Sequence, residues 1–258
     1  MTPCELFRDL HHGDRPLVLP NAWDFTSAAA LAAAGFPAVA TTSLGVSAAA
    51  GLPDAAGLAR EDTLQLARRL VRLPVPITVD IEAGFSDDPA DIVDLAVTLS
   101  AMGVAGINLE DGRSGPALAD PAHQADLIAA IKTHAPTLFV NARTDTHWLG
   151  IDRDTTLTRA RQYENAGADG IFIPGLRDRD EIRTLAAALT RPLNVLVLPD
   201  GPTVPDLATL GVRRISTGGL LFRAAVAATV EAARTIRDGR PLPPNLPSYT
   251  DIQSLVTR

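Results

Sequence analysis

The nine residues Leu99-Ser100-Ala101-Met102-Gly103-Val104-Ala105-Gly106-Ile107 read as the end of a helix, a glycine cap and the start of a buried strand. Glycine takes the left-handed conformation that ends helices without steric cost, and the apolar residue four positions on falls in the next strand. The same spacing recurs at Leu31-x3-Gly35-x3-Val39, Tyr163-x3-Gly167-x3-Ile171 and Leu207-x3-Gly211-x3-Ile215. Between these units lie four more apolar, β-rich runs: Leu17 to Leu19, Ile77 to Ile81, Leu138 to Val140 and Leu193 to Leu198. Helical patterns separate the eight strands, at about 24–34, 60–72, 89–101, 121–134, 154–166, 178–189, 204–210 and 219–237. Strict alternation predicts a parallel sheet, and eight units predict a closed (β/α)8 TIM barrel. One domain is expected over residues 1–258, with 240–258 as a C-terminal helical arm. An open doubly wound sheet is the runner-up, weakened because no G-x-G-x-x-G follows the first strand.

The composition narrows the partners. An apolar fraction of 46% with 21% charged residues suits a large core, and only the proline-rich Arg240 to Pro247 reads as loosely ordered. The net charge is −7 and the basic residues are scattered, so the cationic stripe of a nucleic-acid binder is missing. Small molecules are the expected partners, and an anionic one would need a metal or a buried Arg. The single cysteine, Cys4, excludes an intramolecular disulfide and thiolate clusters and fits a reducing cytoplasm. Glu5, Arg8, Asp9 and Asp14 leave no apolar run for a secretory signal. Phe25 to Pro53 carries no charge, but Gly35, Pro37, Thr41, Thr42, Ser43 and Gly45 interrupt it. It reads as a helix, a turn and a buried strand rather than a membrane span.

Barrel active sites sit at the C-terminal ends of the strands, so the polar residues there are taken together. They are Asn21 and Asp24, Thr42 and Ser43, Asp80 and Glu82, Asn108, Glu110 and Asp111, then Asn141, Arg143 and Asp145. Strand alternation puts Asp80 and Glu82 on one face, with Glu110 ending the neighbouring strand. Three converging carboxylates repel unless a cation neutralises them, and hard oxygen donors suit Mg2+ or Mn2+. The competing reading makes them helix caps or partners of Arg side chains. Arg143 offers a fork for a carboxylate, or else a structural ion pair with Asp145 or Glu110. Thr42, Ser43 and Gly45 offer hydroxyls and backbone N–H groups to a small anion, although such a turn also serves as a plain cap. The five histidines show no metal-ligand spacing, and surface positions are expected for them; His147 and Trp148 follow the fifth strand near the mouth, where a loop or helix-start role without chemistry is the favoured reading.

Several ordered motifs together resemble one family. Pro20-Asn21-Ala22-Trp23-Asp24, Ala40-Thr41-Thr42-Ser43, Gly51-Leu52-Pro53-Asp54, Asp80-x-Glu82-x-Gly84, Asn108-Leu109-Glu110-Asp111 and Asn141-Ala142-Arg143-Thr144-Asp145 are similar to the isocitrate lyase and phosphoenolpyruvate mutase superfamily, in its short bacterial members. The resemblance implies Mg2+ held directly by Asp80, with Asp54, Glu82 and Glu110 holding its waters. It also implies Arg143 on the substrate carboxylate, and Thr42, Ser43 and Gly45 at the 2-oxo end. The implied reaction is C–C cleavage of a small 2-oxo or 2-hydroxy (di)carboxylic acid through a metal-stabilised enolate. Rival expectations are P–C mutase or hydrolase chemistry, and a non-catalytic metabolite-binding barrel. Relatives associate through their last helices, which implies a homo-oligomer, dimer or tetramer.

Two departures stand out. Glu82 stands where the family commonly has Asp. The loop Asp111-Gly112-Arg113-Ser114-Gly115-Pro116-Ala117-Leu118 is short and lacks the cysteine motif of isocitrate and methylisocitrate lyases, which argues against their reaction. Its Gly, Ser and Pro suggest a lid, with Arg113 either a cation over the substrate or an ordinary surface Arg.

Overall fold

The barrel closes at a proline. In the computed structural model, which describes residues 1–257, β1 (Leu17–Leu19) and β2 (Asn21–Ala22) are two halves of one strand broken at Pro20. Pro20 has no N–H to give, yet its carbonyl accepts from Ala40 N at 2.9 Å. β3 (Val39–Thr41), β4 (Ile77–Asp80) and β5 (Gly106–Glu110) follow, then a small antiparallel hairpin, β6 (Gly112–Arg113) with β7 (Ala117–Leu118). The barrel resumes with β8 (Phe139–Arg143), β9 (Gly170–Ile173), β10 (Leu193–Leu196) and β11 (Arg214–Ser216). β1 pairs with β11 and β2 with β3, all parallel, so the broken strand joins the two ends of the sheet.

The helices are α1 (Pro3–Asp9), α2 (Phe25–Ala33), α3 (Ser43–Ala49), α4 (Arg60–Leu70), α5 (Pro89–Ala101) and α6 (Pro121–His134). After them come α7 (Thr146–Leu149), α8 (Thr156–Asn165), α9 (Arg179–Ala188), α10 (Val204–Thr209), α11 (Leu220–Arg237) and α12 (Tyr249–Val256). Gly35, Gly103, Gly167 and Gly211, the repeated glycines, have φ of 89°, 94°, 102° and 91°, the left-handed geometry their spacing predicts. Asp24, Asp88, Asp120 and Asp178 accept from first-turn N–H groups and start α2, α5, α6 and α9. Between sheet and helices the core is continuous, from Leu64 and Leu70 through Leu95, Leu99, Ile128 and Ile131 to Tyr163 and Ile182. Among the described residues no helix is long and apolar enough to cross a membrane. The C-terminal arm ends in α12, which packs against α2.

Three helices were not expected. α3 and α7 are single-turn or two-turn segments after strands, too short for a periodic signal. α1 begins on a Thr2–Glu5 capping box with Pro3 in its first turn. It plugs the N-terminal end of the barrel, where Phe7 packs with Leu17, Leu19, Ala38, Ala40, Ala105 and Phe139.

This plug corrects the surface position expected for His11, which is 1% exposed. Its ring stacks on Phe139 with centroids 4.5 Å apart, and Nδ1 lies 2.7 Å from Phe7 O. Burial, and then the charge of Arg214, hold its pKa down at about 3. The unfolded chain therefore takes up a proton below pH 6.5 that the folded chain refuses, so stability falls as pH drops from 6.5 towards 3. At pH 5 the loss is about 2 kcal/mol. Urea melts at pH 7 and pH 5 should show a smaller drop for His11→Phe than for the parent by about that amount. Equal drops would mean His11 titrates normally.

Candidate active site

At the C-terminal ends of the strands two chambers meet. The inner one, about 210 Å³, reaches down to Asn21, Asp80, Asn108 and Ser216. The outer one is bounded by loops carrying Gly57, Glu82, Phe85 and Arg113. Asp54, Ala55, Glu110, Arg143 and Trp148 line both, so they form the boundary. The inner chamber is smaller than the ~300–1,000 Å³ of drug-sized ligand sites, which suits a short-chain acid.

Arg143, at the end of β8, is the hub. Its Nη1 reaches Glu110 Oε2 at 2.7 Å and its Nε donates to Asp145 Oδ1 at 2.6 Å. The Arg143 side chain is 14% exposed, and its Cζ stands 5.7 Å from the centre of the Phe172 ring. Asp80 ends β4, and its Oδ1 accepts from Glu82 N at 3.2 Å. Here the expected strand alternation fails. β4 stops at Asp80, and Glu82 takes φ 51°, so it reaches the outer chamber by a backbone turn. That turn is held because Glu82 O accepts from Glu110 N at 3.0 Å and Glu82 Oε2 accepts from Gly57 N at 3.1 Å. The longer Glu side chain thus ties the 54–57 loop to the strand ends.

The other expected residues divide. Thr42 and Ser43 line the inner chamber. Gly45 is not among the lining residues. A Cβ there would lie 2.7 Å from Trp23 Cβ, so the glycine serves close packing of α3 on Trp23. The expected lid is the β6–β7 hairpin, and Arg113 is pinned within it. Its Nη1 donates to Gly112 O at 2.8 Å and its Nη2 to Gln124 Oε1 at 3.2 Å. Asp24 is the capping residue of α2, and Asp111 is fully buried in a structural network. Asn21 lines the chamber but stitches the seam. Its Oδ1 accepts from Thr217 N at 3.0 Å and Gly218 N at 2.9 Å, and its Nδ2 donates to Thr41 O at 2.6 Å. Cys4 lies at the far end of the barrel, its Sγ 3.8 Å from Val104 O.

The carboxylates outnumber the cations around this boundary. Burial pushes Asp80 up against the pull of Arg143, and pushes Glu82 up to about 7. Burial also raises Glu110 despite its contact with Arg143, because Asp145 and Asp80 draw on the same guanidinium. A divalent cation is the charge this set lacks, and the donors are all carboxylate oxygens, with Glu82 Oε1 buried and without a partner. Among the described residues no three His, Cys, Asp or Glu side chains close on one point. The set therefore suits an ion that keeps several waters, as Mg2+ does, rather than a fully protein-ligated one.

Sequence reasoning missed the far wall: Thr217, Gly218 and Gly219 after β11, Arg223 in α11, and Phe172. The signal was the run Ser216-Thr217-Gly218-Gly219 just before a helix, the place where barrels often bind anions.

Comparison with known proteins agrees with this geometry. The chain is 47% identical over 250 residues to the uncharacterized protein Rv1998c of Mycobacterium tuberculosis (strain ATCC 25618 / H37Rv), covering 96% of this chain and 95% of that one. It is 31% identical over 213 residues to the oxaloacetate decarboxylase of Ectopseudomonas mendocina, covering 78% and 72%. The crystal structure of a phosphonopyruvate hydrolase in complex with oxalate and Mg2+ superposes with a TM-score of 0.87 at 26% identity, covering 99% and 95%. The family model for phosphoenolpyruvate phosphomutase matches residues 7–237. The barrel, the acids at its strand ends and this match together make the chain a member of the phosphoenolpyruvate mutase and isocitrate lyase superfamily of enzymes.

Proposed function

We propose that the chain is a Mg2+-dependent lyase that cleaves a C–C bond of a small 2-oxo or 2-hydroxy (di)carboxylic acid. The observation that carries it is the convergence of Asp54, Asp80, Glu110 and Arg143 on one small chamber in a chain of this family. The similarity to an oxaloacetate decarboxylase and the oxalate and Mg2+ of the hydrolase complex support the same ligand class. Asp80 would hold the ion directly, and Asp54, Glu82 and Glu110 would hold its waters; Mn2+ could substitute. Bound there, the ion would supply Lewis acidity towards the oxygens of a 2-oxo acid. Arg143 grips the carboxylate and offsets negative charge that grows on the substrate during cleavage. Thr42 and Ser43 orient its other end, and the buried Phe172 shields it from water.

P–C chemistry is the rival, favoured by the family model and the hydrolase. Against it, Arg113 and Arg143 are the only cations among the described residues lining the outer chamber, fewer than a doubly charged phosphonate group would want.

The test is calorimetric titration of oxalate with and without Mg2+, on the parent and on Asp80→Ala. Binding should require Mg2+ and be lost in the variant; no binding by the parent under either condition would refute the reading.

The whole chain is proposed to act as one domain, in the cytoplasm, and as a homo-oligomer. α11 runs 18 residues with only Thr235 buried, while Val226, Val230 and Ile236 stand exposed. Light scattering at micromolar concentration should give at least twice the 27.1 kDa chain mass. A monomer would end that idea.

A further inference from the structure

The barrel interior beneath the cavity is polar where branched aliphatic side chains would normally fill it. Its centre is Arg214, the first residue of β11, which is 0% exposed. A buried cation is costly unless anions surround it, and Arg214 has none in contact. Its Nη2 donates to Asn108 Oδ1 at 3.0 Å, its Nε donates to Ser216 Oγ at 3.4 Å, and its Nη1 has no partner. Below it the Phe7 ring, 5.8 Å from Cζ, closes the barrel. Above it Asn108 and Ser216 are floor residues of the inner chamber. The charge is therefore directed at the cavity through two side chains.

Arginine only donates, so it dictates how the Asn108 amide is turned. The oxygen must face Arg214, and that same oxygen also accepts from Asn141 Nδ2 at 2.8 Å. Nδ2 is left as the polar atom with which Asn108 meets the chamber it lines. It is a neutral donor among carboxylates, set where an anion must be accommodated. We infer that Asn108 Nδ2 donates a hydrogen bond to a carboxylate or carbonyl oxygen of the bound acid at the floor of the cavity, with Arg214 as its positioning residue.

The burial of Arg214 lowers its pKa only to about 9, so it remains charged at neutral pH. Its dipolar pull through Asn108 strengthens the donor, and a charge-assisted array of this kind favours a ligand end that carries acceptor oxygens alone. Acids with a carboxylate directed inward are selected over those with an alkyl group there. The inference rests on the reading of the chamber as a small-acid site.

Asn108→Asp is the decisive variant. It keeps the oxygen that Arg214 needs, and even gives that cation a counter-ion, but it replaces the donor facing the cavity by an acceptor. Asn108→Ala removes the donor without adding charge, and Arg214→Met removes the positioning charge at similar volume. Oxalate titrated into the Mg2+-loaded proteins should bind at least about 10-fold more weakly to all three, the usual effect of losing a hydrogen bond to a charged group. Mg2+ titrated alone should bind no more weakly than to the parent. Arg214→Met should melt no lower than the parent, because an uncompensated buried charge is gone, and Arg214→Lys should fall between parent and Met variant in oxalate affinity. Should Arg214→Met fail to fold, the two Asn108 variants decide by themselves. Parent-like oxalate affinity in them overturns the inference while leaving the proposed function standing; absence of Mg2+-dependent oxalate binding in the parent overturns both.

Discussion

Replacing Arg143 by Ala should weaken oxalate binding by about 100-fold or more and abolish turnover of any 2-oxo acid substrate. Truncating one member of a buried charge pair typically costs about 2–5 kcal/mol, and here the lost fork serves Glu110, Asp145 and the ligand together. Arg143→Lys should recover only part of the affinity, because an ammonium cannot span Glu110 and Asp145 from one planar group. A second readout separates this from simple unfolding. Without Arg143 the buried Glu110 and Asp145 hold protons that the unfolded chain has released, so the folded state of Arg143→Ala should be less stable at pH 8 than at pH 6. Melts at the two pH values check the sign. An Arg143→Ala protein that binds oxalate like the parent would remove the guanidinium from the site.

Asp111→Ala should be the most destabilising single change near the site. Asp111 is fully buried, and its Oδ2 accepts from the Tyr163 hydroxyl at 2.7 Å and from Arg159 Nη1 at 3.3 Å. Its Oδ1 accepts from Asp145 N at 2.8 Å, and its carbonyl accepts from Ala119 N at 2.8 Å. One carboxylate thus joins the start of the hairpin to α8 and to the residue that braces Arg143, while the carbonyl bond to Ala119 would survive the substitution. Its removal leaves Arg159 as an unpaired cation at 7% exposure, a cost of about 3–5 kcal/mol. For a chain of this size that lowers Tm by roughly 10 °C. The double variant Asp111→Ala, Arg159→Met should regain much of the loss, since the stranded charge disappears with its partner. A fall in Tm of under about 2 °C for Asp111→Ala would show the network to be dispensable.

The acids and Arg143 were legible because a barrel brings strand ends to one mouth, so adjacency along eight short runs becomes adjacency in space. Roles within that mouth were less so. Glu82 obeys a backbone turn at φ 51° that alternation does not anticipate. Arg113 looks like a free lid cation in sequence, and only the position of Gln124 on α6 shows its guanidinium engaged. Gly45 looks like an anion-binding turn, whereas contact with Trp23 explains why a side chain is excluded.

The sequence by itself determined the barrel, its eight strand positions and the helix ends, because these depend on signals a few residues apart: glycine caps, aspartate caps and apolar runs. It also marked Asp80, Glu82 and Glu110 as strand-end acids, although Asp24 and Asp111, read beside them, serve a helix cap and a buried network. What only the tertiary structure decided rests on contacts between distant positions. The Asn21 stitch to Thr217 spans 196 residues, and the hold of Arg214 on Asn108 spans 106. The same holds for the burial of His11 behind an N-terminal plug. Hydrogen bonding and desolvation act through space over a few ångströms, and no local pattern in the chain records which side chains barrel closure will bring that close.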